Sequence, residues 1–435
     1  HEARRNRTNL YTIALEGWRR GLKLEFYQIR DEDNKLRLMF SLSNQKRKHY
    51  FMESCGDKIT KQAIKICHDK ALTYQYLREA DVSIPLGKEF DMSTSIADML
   101  KYVEKHLSYP LVAKPTTGSG GKGVKTNIRS SNQLKKAIED IRNQFPATSI
   151  IIQQHLLGEE IRIYVIENEV IAAAKRLPAN VVGDGQSTII QLINRKNEYR
   201  KKIPHLYYRP IKVDNEVKEN ISNQGYTLDT ILEKGERLFL RKVSNVSSGG
   251  DPIDVTSDLS EEQKKIAIRA VQAIPGLSHC GVDMIVNPQG YGTILELNTS
   301  PGIGSHLFPI EGQARDIPKK MIDYYFPETK QRRNKESNVY FNLQCIFDSL
   351  DGNISSIEIR NHPESNLKIK KLEITTRRDI YYYYQILNKY INKNRLNGYM
   401  KQIAENRIEI IIAHQNEVKI REFIYFIKKR NKLLD

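Results

Sequence analysis

The stretch that decides the fold covers residues 281–309 and reads GVDMIVNPQGYGTILELNTSPGIGSHLFP. It holds two short apolar runs, with Asp283 in the first and Glu296 and Asn298 two positions apart in the second. Alternate residues of a strand point to the same face, so Glu296 and Asn298 are predicted to project together. Asp283 joins them if the two runs pair as strands across a turn at 287–292.

Such a hairpin would place two carboxylates and an amide oxygen on one face. This all-oxygen set is the one that Mg2+ prefers when it also holds phosphate oxygens. The alternative is a hairpin with solvated acids on its outer face. The pattern of one Asp followed by Glu-x-Asn is short, so other segments must decide between the two interpretations.

A second motif, YPLVAKPTTGSGGKGV at residues 109–124, places an apolar strand ending in Lys114 before a glycine-rich loop. Glycines let backbone N–H groups close over phosphate oxygens, and Lys114 and Lys122 add positive charge. The spacing fits neither a P-loop nor a dinucleotide-binding turn, and a plain flexible connection is the alternative. Its place after a strand and upstream of the acidic cluster favours a flap over Mg–ATP.

Length and composition favour a multidomain globular protein. The chain has 435 residues, for which two or three domains are expected. Of its residues, 39% are hydrophobic and 28% charged, and no run of about 18 apolar residues predicts a membrane span. The cysteines are scattered and predict reduced thiols in a cytoplasmic protein.

The net charge of +17 is uneven along the chain, with +7 over residues 1–70, +2 over 71–330 and +8 over 331–435. Basic flanks can attract a nucleic acid, an acidic polymer or a membrane surface. Here the basic residues are dispersed rather than clustered, which favours a role in solubility and makes nucleic acid an unfavoured partner.

Helical and strand-like patterns alternate over the first 330 residues, which indicates a mixed α+β fold. The predicted helices are 8–20, 60–80, 93–107, 130–144 and 259–273, and predicted strands include 22–29, 35–42, 48–53, 109–114 and 149–153. A polar connection is predicted at 194–235. The charged segment 327–337 predicts a domain break before a basic, aromatic tail.

Several long segments, in order, resemble the ATP-grasp superfamily of carboxylate–amine ligases. They are most similar to the ATP-grasp domain of cyanophycin synthetases and of bifunctional glutathione-synthesising enzymes. The segments are DKALTYQYLREADVSIP (69–85), LVAKPTTGSGGKGV (111–124), IIIQQHLLGEEIRIYVI (150–166), AAAKRLPANVVGDGQSTIIQLI (172–193), VSNVSSGGDPIDVT (243–256), GVDMIV (281–286) and LELNTSPGIGSHLFPIEGQARDI (295–317).

The resemblance implies an ATP-grasp fold, in which two α/β subdomains clasp ATP. The implied domains are an N-terminal α/β domain before the ATP-grasp unit (1–85), the ATP-grasp domain (86–330) and a basic C-terminal domain (338–435). Within the ATP-grasp domain, the flap subdomain is expected over 86–155 and the metal-bearing subdomain over 156–330.

The resemblance also implies roles for individual side chains. ATP-binding residues would be Lys70, Lys114, Gly118, Ser119, Gly120, Gly121, Lys122, Gln153, Gln154 and Glu160. Two Mg2+ ions, replaceable by Mn2+, would be held by Asp283, Glu296 and Asn298. Catalytic cations facing the γ-phosphate and the acyl phosphate would be Arg162, Lys175 and Arg176, and substrate would be held by Arg241, Asn245, Ser247 and Gly249.

Four residues have expectations of their own: Gln153, Lys175, Arg176 and His306. Relatives usually have Glu where this chain has Gln153, so nucleotide affinity is expected to be altered rather than lost. For Lys175 and Arg176, a surface position at a strand end is the alternative. His306 is expected to be a hydrogen-bonded structural residue rather than a ligand.

The tail at 371–430 reads strand, helix, strand, turn, strand, helix. This order resembles an acylphosphatase, an α/β sandwich of ferredoxin type. The expected anion loop, 375–379, contains Arg377 and Arg378 but no glycine, and Gln402 stands near the position of the catalytic Asn. The tail is therefore expected to pack or to recruit substrate rather than to hydrolyse it.

The resemblance implies an ATP- and Mg2+-dependent ligase that forms an amide or peptide bond through an acyl phosphate and releases ADP. Amino acids or peptides are the expected substrates, with an anionic peptide polymer as one form, and a homo-oligomer is expected. The alternative is a protein that binds nucleic acid or an acidic polymer on a retained ATP-grasp scaffold. Steep salt dependence without ATP turnover would favour that alternative.

Overall fold

The computed structural model describes residues 7–30, 34, 36–118, 122–145, 149–242, 244–332, 337, 339–351, 354–362, 367–375, 380–394 and 396–434. The chain forms two compact units. The first comprises residues 1–333 and 340–360, and the second comprises 334–339 and 361–435. No helix in the described part of the chain is long and apolar enough to cross a bilayer.

Helices and strands alternate through the first unit. Its helices are α1 (Thr8–Arg19), α2 (Lys61–His68), α3 (Lys70–Glu79), α4 (Ile96–His106), α5 (Ser131–Gln144), α6 (Ile189–Arg200), α7 (Asn215–Ser222), α8 (Glu261–Gln272), α9 (Gly304–Leu307), α10 (Ile317–Tyr325) and α11 (Leu343–Asp351). Its strands are β1 (Lys23–Arg30), β2 (Leu36–Ser43), β3 (Lys48–Met52), β4 (Cys55–Gly56), β5 (Gly87–Asp91), β6 (Leu111–Pro115), β7 (Lys125–Ile128), β8 (Ser149–Gln154), β9 (Glu159–Ile166), β10 (Glu169–Leu177), β11 (Asn180–Val182), β12 (Arg237–Phe239), β13 (Asp251–Asp254), β14 (His279–Val286), β15 (Gly292–Asn298) and β16 (Ser356–Ile359).

Three sheets organise the first unit. The N-terminal sheet has the order β16-β1-β2-β3-β4, a four-stranded sheet has the order β5-β8-β6-β7, and a five-stranded sheet has the order β13-β10-β9-β14-β15. The last two sheets lie within the segments expected as flap and metal-bearing subdomains. A short pair, β11 with β12, completes the unit.

The five-stranded sheet positions the site because its two faces differ. One face buries Ile161, Ile163, Val282 and Met284 in a core that also contains Val271 of α8. Alternation then places Arg162 and Asp283 on the other face. An antiparallel sheet with one packed face leaves the opposite one for polar chemistry.

The boundary of the tail differs from the expected position at 338. Strand β16 pairs antiparallel with β1, from Leu24 opposite Ile359 to Tyr27 opposite Ser356. Phe341 packs on Tyr11, with ring centroids 4.9 Å apart. The segment 340–360 therefore belongs to the first unit, because its strand and its aromatic anchor complete the N-terminal layer.

The helix expected over 60–80 is interrupted at Asp69. This residue has extended backbone angles, and its Oδ1 accepts hydrogen bonds from the backbone N–H groups of Ala71 (2.9 Å) and Leu72 (3.1 Å). Such a cap satisfies donors that the first turn leaves unpaired. The chain therefore starts a new helix at Lys70, which places that lysine at a helix N-terminus.

The polar connection expected at 194–235 contains helical structure. Helix α6 starts at a capping box formed by Thr188 and Gln191, and α7 starts at Asp214, whose side chain accepts from the N–H of Val217. Val217 and Ile221 then pack into a small core with strands β11 and β12. Two apolar residues at i and i+4 sufficed to bury this short helix in an otherwise polar stretch.

The second unit has the order β17 (Lys368–Thr375), α12 (Ile380–Lys393), β18 (Asn397–Ala404), β19 (Arg407–His414) and α13 (Glu417–Leu434). Its antiparallel sheet has the order β17-β19-β18, and its core includes Ile410, Leu387 and Phe423. The strand–helix–strand–strand–helix pattern is the expected one. The likeness to acylphosphatase stays a prediction, since Arg377 and Arg378 lie outside the described residues.

A buried ion pair anchors the connection between α6 and β13 and makes a stability prediction. Arg200 and Asp251 are almost fully buried and bond at 2.8 Å, while Lys196 bonds the other oxygen of Asp251 at 2.5 Å. Asp251→Asn leaves both cations without a carboxylate, so we expect unfolding free energy to fall by about 3–5 kcal/mol. Urea denaturation measures this loss.

Asp258→Asn is the matched control, because Asp258 is exposed in the segment between β13 and α8. We expect it to stay within about 0.5 kcal/mol of the natural protein. Equal stability of the two variants would contradict the structural role of the Asp251 pair.

Candidate active site

The two strands that decide the fold form the expected hairpin. Strands β14 and β15 pair antiparallel, with Asp283 opposite Glu296 and Gly281 opposite Asn298. Since Gly281 is two residues before Asp283, Asn298 shares the face of the two carboxylates. A register shift follows Asp283. The three expected metal ligands are thus brought together on one face.

Asp283 also receives a cation from the neighbouring strand. Arg162 of β9 stands opposite Asp283, its Nη2 donates to Oδ2 at 2.6 Å, and its Nε donates to Oδ1. Asn298 Nδ2 lies 3.3 Å from the same Oδ2. A bidentate Arg–carboxylate pair is strong and directional, so Arg162 fixes the orientation of Asp283.

Glu296 has no such partner among the described residues. Burial raises the pKa of Glu296, and the Asp283 carboxylate raises it further, against the positive charges of Lys70, Arg162 and Lys114. Two carboxylates that face each other in a partly desolvated site favour binding of a cation. The donor set of two carboxylates and one amide fits Mg2+, with phosphate and water oxygens as the remaining ligands.

Lys114 approaches this site from β6. It is buried, and its Nζ donates a hydrogen bond of 2.9 Å to the hydroxyl of Tyr74. The Tyr74 hydroxyl in turn donates to the carbonyl of Leu295 at 3.0 Å. Burial, with a smaller contribution from Lys70, lowers the pKa of Lys114 to about 8. The chain of contacts joins the four-stranded sheet to β15.

Tyr74 was missed by the sequence analysis, although its spacing pointed to it. It lies four residues after Lys70 on α3, and residues at i and i+4 share a helix face. Lys70 itself is half-buried and donates from Nζ to the carbonyl of Gly118 at 3.0 Å. Gly118 has a positive φ of 120°. Lys122 is exposed, and Ser119, Gly120 and Gly121 lie outside the described residues.

The expected adenine and ribose residues occupy the end of β8 and the start of β9. Gln153 is buried and pairs through its backbone with Val112 and Gly87, while its Oε1 lies 3.3 Å from the Tyr74 hydroxyl. Gln154 is the last residue of β8. Glu160 on β9 is exposed and pairs with Arg176 at 3.4 Å.

The structure does not bring the three expected catalytic cations together. On β10, Ala174 stands opposite Arg162 and Lys175 stands opposite Ile161. Arg176 therefore shares the face of Arg162, whereas Lys175 points to the opposite face and bonds Glu159 at 3.1 Å. One residue of register decides which of two adjacent cations reaches the site.

A cavity of about 180 Å³ lies next to Arg162. Its lining is mostly polar or cationic, and the residues are Arg162, Ala174, Arg176, His205, Arg209, Asn245, Val246, Ser247, Gly302 and Ser305. Asn245 and Ser247 were expected to hold substrate. His205 and Arg209 were not singled out because they lie in the polar connection at 194–235, and Ser305 was not singled out although it lies in the quoted 295–317 segment.

The other two expected substrate residues have different surroundings. Arg241 is buried and forms ion pairs with Asp214 and Glu216, both at the start of α7, and it does not line the cavity. Gly249 has a φ of +100°, and a side chain there would collide with Ile211. Both residues thus hold the loop that carries Asn245 and Ser247.

His306 departs from its expected hydrogen bonding. It is buried beside Tyr164, and neither ring nitrogen has a hydrogen-bond partner among the described residues. Burial, with Arg162 and Arg176 nearby, lowers its pKa to about 3, so the ring is neutral at physiological pH. The expectation of a hydrogen-bonded residue was wrong.

Comparison with known proteins identifies the family to which this fold belongs. The model of the ATP-grasp domain matches residues 67–302, which is more than half of the chain. The chain belongs to the ATP-grasp family. The resemblance seen in the sequence and the expected α+β ATP-grasp fold are confirmed.

Curated relatives within the family include two large synthetases. Cyanophycin synthetase of Trichormus variabilis is 30% identical over 285 residues, or 64% of this chain and 31% of that protein. The bifunctional glutathione biosynthesis protein of Clostridium perfringens is 31% identical over 326 residues, or 72% of this chain and 40% of that protein. The chain thus spans 31% of the length of one relative and 40% of the other.

A solved structure shows the same fold. The bifunctional glutathione synthetase of Pasteurella multocida superposes with a TM-score of 0.54 and 25% identity, covering 69% of this chain and 41% of that one.

The position of Lys114 predicts a pH dependence of ATP binding. With a pKa of about 8, the ammonium loses its charge as pH rises through that value in the free protein. We therefore expect ATP affinity to fall between about pH 7 and 9. Lys114→Met should bind ATP at least about tenfold more weakly and lose this pH dependence.

Fluorescence titration with an ATP analogue at several pH values provides the measurement. Lys88→Met serves as the control, since Lys88 is an exposed cation on β5 of the same sheet. A Lys114→Met protein that keeps the natural pH dependence would contradict the assignment.

Proposed function

We propose that the protein is an ATP-dependent ligase that joins a carboxylate to an amine and releases ADP and phosphate. The observation that supports it most is the pair of facing carboxylates, Asp283 and Glu296, with Arg162 beside them. Two facing carboxylates, an amide oxygen and a buried lysine are the kinds of group needed to hold a nucleotide triphosphate with Mg2+. The named synthetases among its relatives agree with this chemistry.

The first step is phosphorylation of the substrate carboxylate. A carboxylate oxygen attacks the γ-phosphorus of ATP, the bond from that phosphorus to the β-γ bridging oxygen breaks, and ADP leaves. Two anions must approach each other in this step, so positive charge has to offset their repulsion. Arg176 and Lys114 provide this positive charge. Arg162, which is oriented by Asp283, lines the same cavity as Arg176.

The second step forms the amide. The amine nitrogen attacks the acyl carbon, the bond to the phosphate oxygen breaks, and the amine loses a proton as phosphate departs. The positions of the two reactants account for most of the acceleration, which explains why no nucleophilic side chain is required. We assign the glycine-rich flap near Gly118 to the exclusion of water from the acyl phosphate.

The metal ligands in this proposal are Asp283, Glu296 and Asn298, which share one face of the sheet. We propose that they hold two Mg2+ ions, which Mn2+ can replace, and that these ions would neutralise the terminal phosphates. We further propose that ATP contacts Lys70, Gln154 and the ribose-binding Glu160.

We propose an amino acid or a peptide as substrate, a cytoplasmic location and a homo-oligomeric assembly. The four cysteines are free thiols, which agrees with a reducing compartment. The alternative of a polyanion-binding protein is disfavoured by the retention of Lys114, Glu296 and Asn298, which such a protein would not need.

Product analysis tests the proposal. With Mg–ATP and pairs of amino acids or dipeptides, we expect ADP and phosphate to appear only when an acceptor amine is present. Hydroxylamine in place of the amine should give a hydroxamate, because it captures an acyl phosphate. Release of AMP instead of ADP would contradict the mechanism.

Variants of the metal ligands extend this test. Glu296→Ala and Asn298→Ala should lower kcat by at least about a hundredfold while the circular dichroism spectrum is preserved. Glu262→Ala is the control, since Glu262 is an exposed carboxylate on α8. Full activity of Glu296→Ala would remove the metal site from the proposal.

A further inference from the structure

The cavity beside Arg162 has more arginines in its lining than there are carboxylates paired with them. Three arginines line it, at positions 162, 176 and 209. Arg162 is paired bidentately with Asp283, and Arg176 is paired with Glu160 at 3.4 Å. Arg209 has no carboxylate partner among the described residues.

The surroundings of Arg209 hold it in place without neutralising it. Its Nη1 bonds the ring of His205, at 2.7 Å from Nδ1, and donates to the His205 carbonyl at 2.8 Å. Its Nε and Nη2 donate to no described residue. Burial lowers the pKa of Arg209, and no acidic group opposes this effect.

Neighbouring groups cannot act as its counter-ion. Arg200 bonds the Arg209 carbonyl at 2.9 Å, but its own partner Asp251 is committed to Arg200 at 2.8 Å and to Lys196 at 2.5 Å. His205 is neutral, because burial and the positive charge of Arg209 lower its pKa to about 3. A half-buried guanidinium with free donors and no counter-ion favours an anionic ligand.

The loop after β15 fixes this arrangement. A side chain at Gly304 would come within 2.1 Å of His205 Nδ1, so the backbone there packs directly against the imidazole. Ser305 Oγ lies 3.3 Å from His205 Nε2. His205 is thus held between Arg209 and the α9 segment, and Arg209 is pre-organised toward the cavity.

We propose that Arg209 is a specificity-determining residue that binds a substrate carboxylate other than the one that is phosphorylated. The substrate would then be an acidic amino acid, free or at the end of a peptide. This inference rests on the proposed ligase function. Arg162 is paired with Asp283, and Arg176 is assigned to the phosphates. Arg209 therefore remains to bind the second carboxylate of the substrate.

The size of the cavity limits the substrate further. At about 180 Å³ it is smaller than the roughly 300–1,000 Å³ of sites for drug-sized ligands. It therefore accepts one amino-acid unit, and any remaining peptide must lie outside. Asn245 and Ser247 supply neutral donors and acceptors along its wall.

Matched acids and amides provide the test. Binding of glutamate, glutamine, aspartate and asparagine is measured by calorimetry with Mg2+ and a non-hydrolysable ATP analogue. Alanyl-glutamate and alanyl-glutamine are measured in parallel to distinguish a free amino acid from a peptide end. At least one acid should bind at least about tenfold more tightly than its amide.

Arg209→Gln should remove this selectivity, with at least about tenfold weaker binding of the acid and less than about twofold change for the amide. Arg209→Lys keeps the charge but loses the planar fork, so intermediate selectivity is expected. Lys202→Gln controls for net charge, because Lys202 is exposed on the same segment. Thermal melting verifies that each variant is folded. If Arg209→Gln is not folded, the selectivity of Arg209→Lys provides the test instead.

The inference is overturned if acids and amides bind equally or if neither binds. It is also overturned if Arg209→Gln keeps the preference for acids. Formation of ADP is measured on the same panel. Turnover of neutral substrates at equal efficiency would overturn the specificity while leaving the ligase intact. Selective binding of acids without ADP formation would contradict the ligase but support the role of Arg209.

Discussion

The site depends on two carboxylates that face each other across neighbouring strands. The β14–β15 register places Asp283 opposite Glu296, and the β14–β9 register places Arg162 opposite Asp283. Arg162 pairs with Asp283, while burial and the facing Asp283 carboxylate keep the pKa of Glu296 raised. A divalent cation bound together with phosphate would offset the repulsion between the two carboxylates, because a shared counter-ion stabilises like charges that are partly removed from water.

Tyr74 links α3 and Lys114 to the hairpin that carries Asp283 and Glu296. It accepts from buried Lys114 and donates to the backbone of β15, so α3, the four-stranded sheet and the metal hairpin meet at one hydroxyl. The cap at Asp69 positions this helix and places Lys70 at its start. Lys70 in turn donates to the carbonyl of Gly118, so α3 also contacts the start of the glycine-rich loop.

Much of the fold and the metal hairpin followed from residue patterns. Alternation in two short runs and a turn between them determined that Asp283, Glu296 and Asn298 share a face, because a strand has a period of two. The helices that carried a continuous apolar stripe were also predictable. The break at Asp69 was not, since a single side-chain cap interrupted a pattern that remained periodic on both sides.

Side chains whose role depends on distant partners were harder to predict. The face of Lys175 follows from its pairing with Ile161, which no local pattern contains. Arg241 is neutralised by Asp214 and Glu216 of a helix that the polar composition concealed. The polar connection at 194–235 also brings Arg209 to the cavity, and only the fold reveals that no described carboxylate pairs with its guanidinium.

We propose that Glu296 completes a cation site on the polar face of the five-stranded sheet. Binding of Mn2+, followed by electron paramagnetic resonance with a non-hydrolysable ATP analogue, tests it directly. Glu296→Gln should weaken Mn2+ binding by at least about tenfold, whereas Glu159→Gln, on the opposite face of β9, should leave it unchanged. Equal Mn2+ affinity in natural protein and Glu296→Gln would contradict the account.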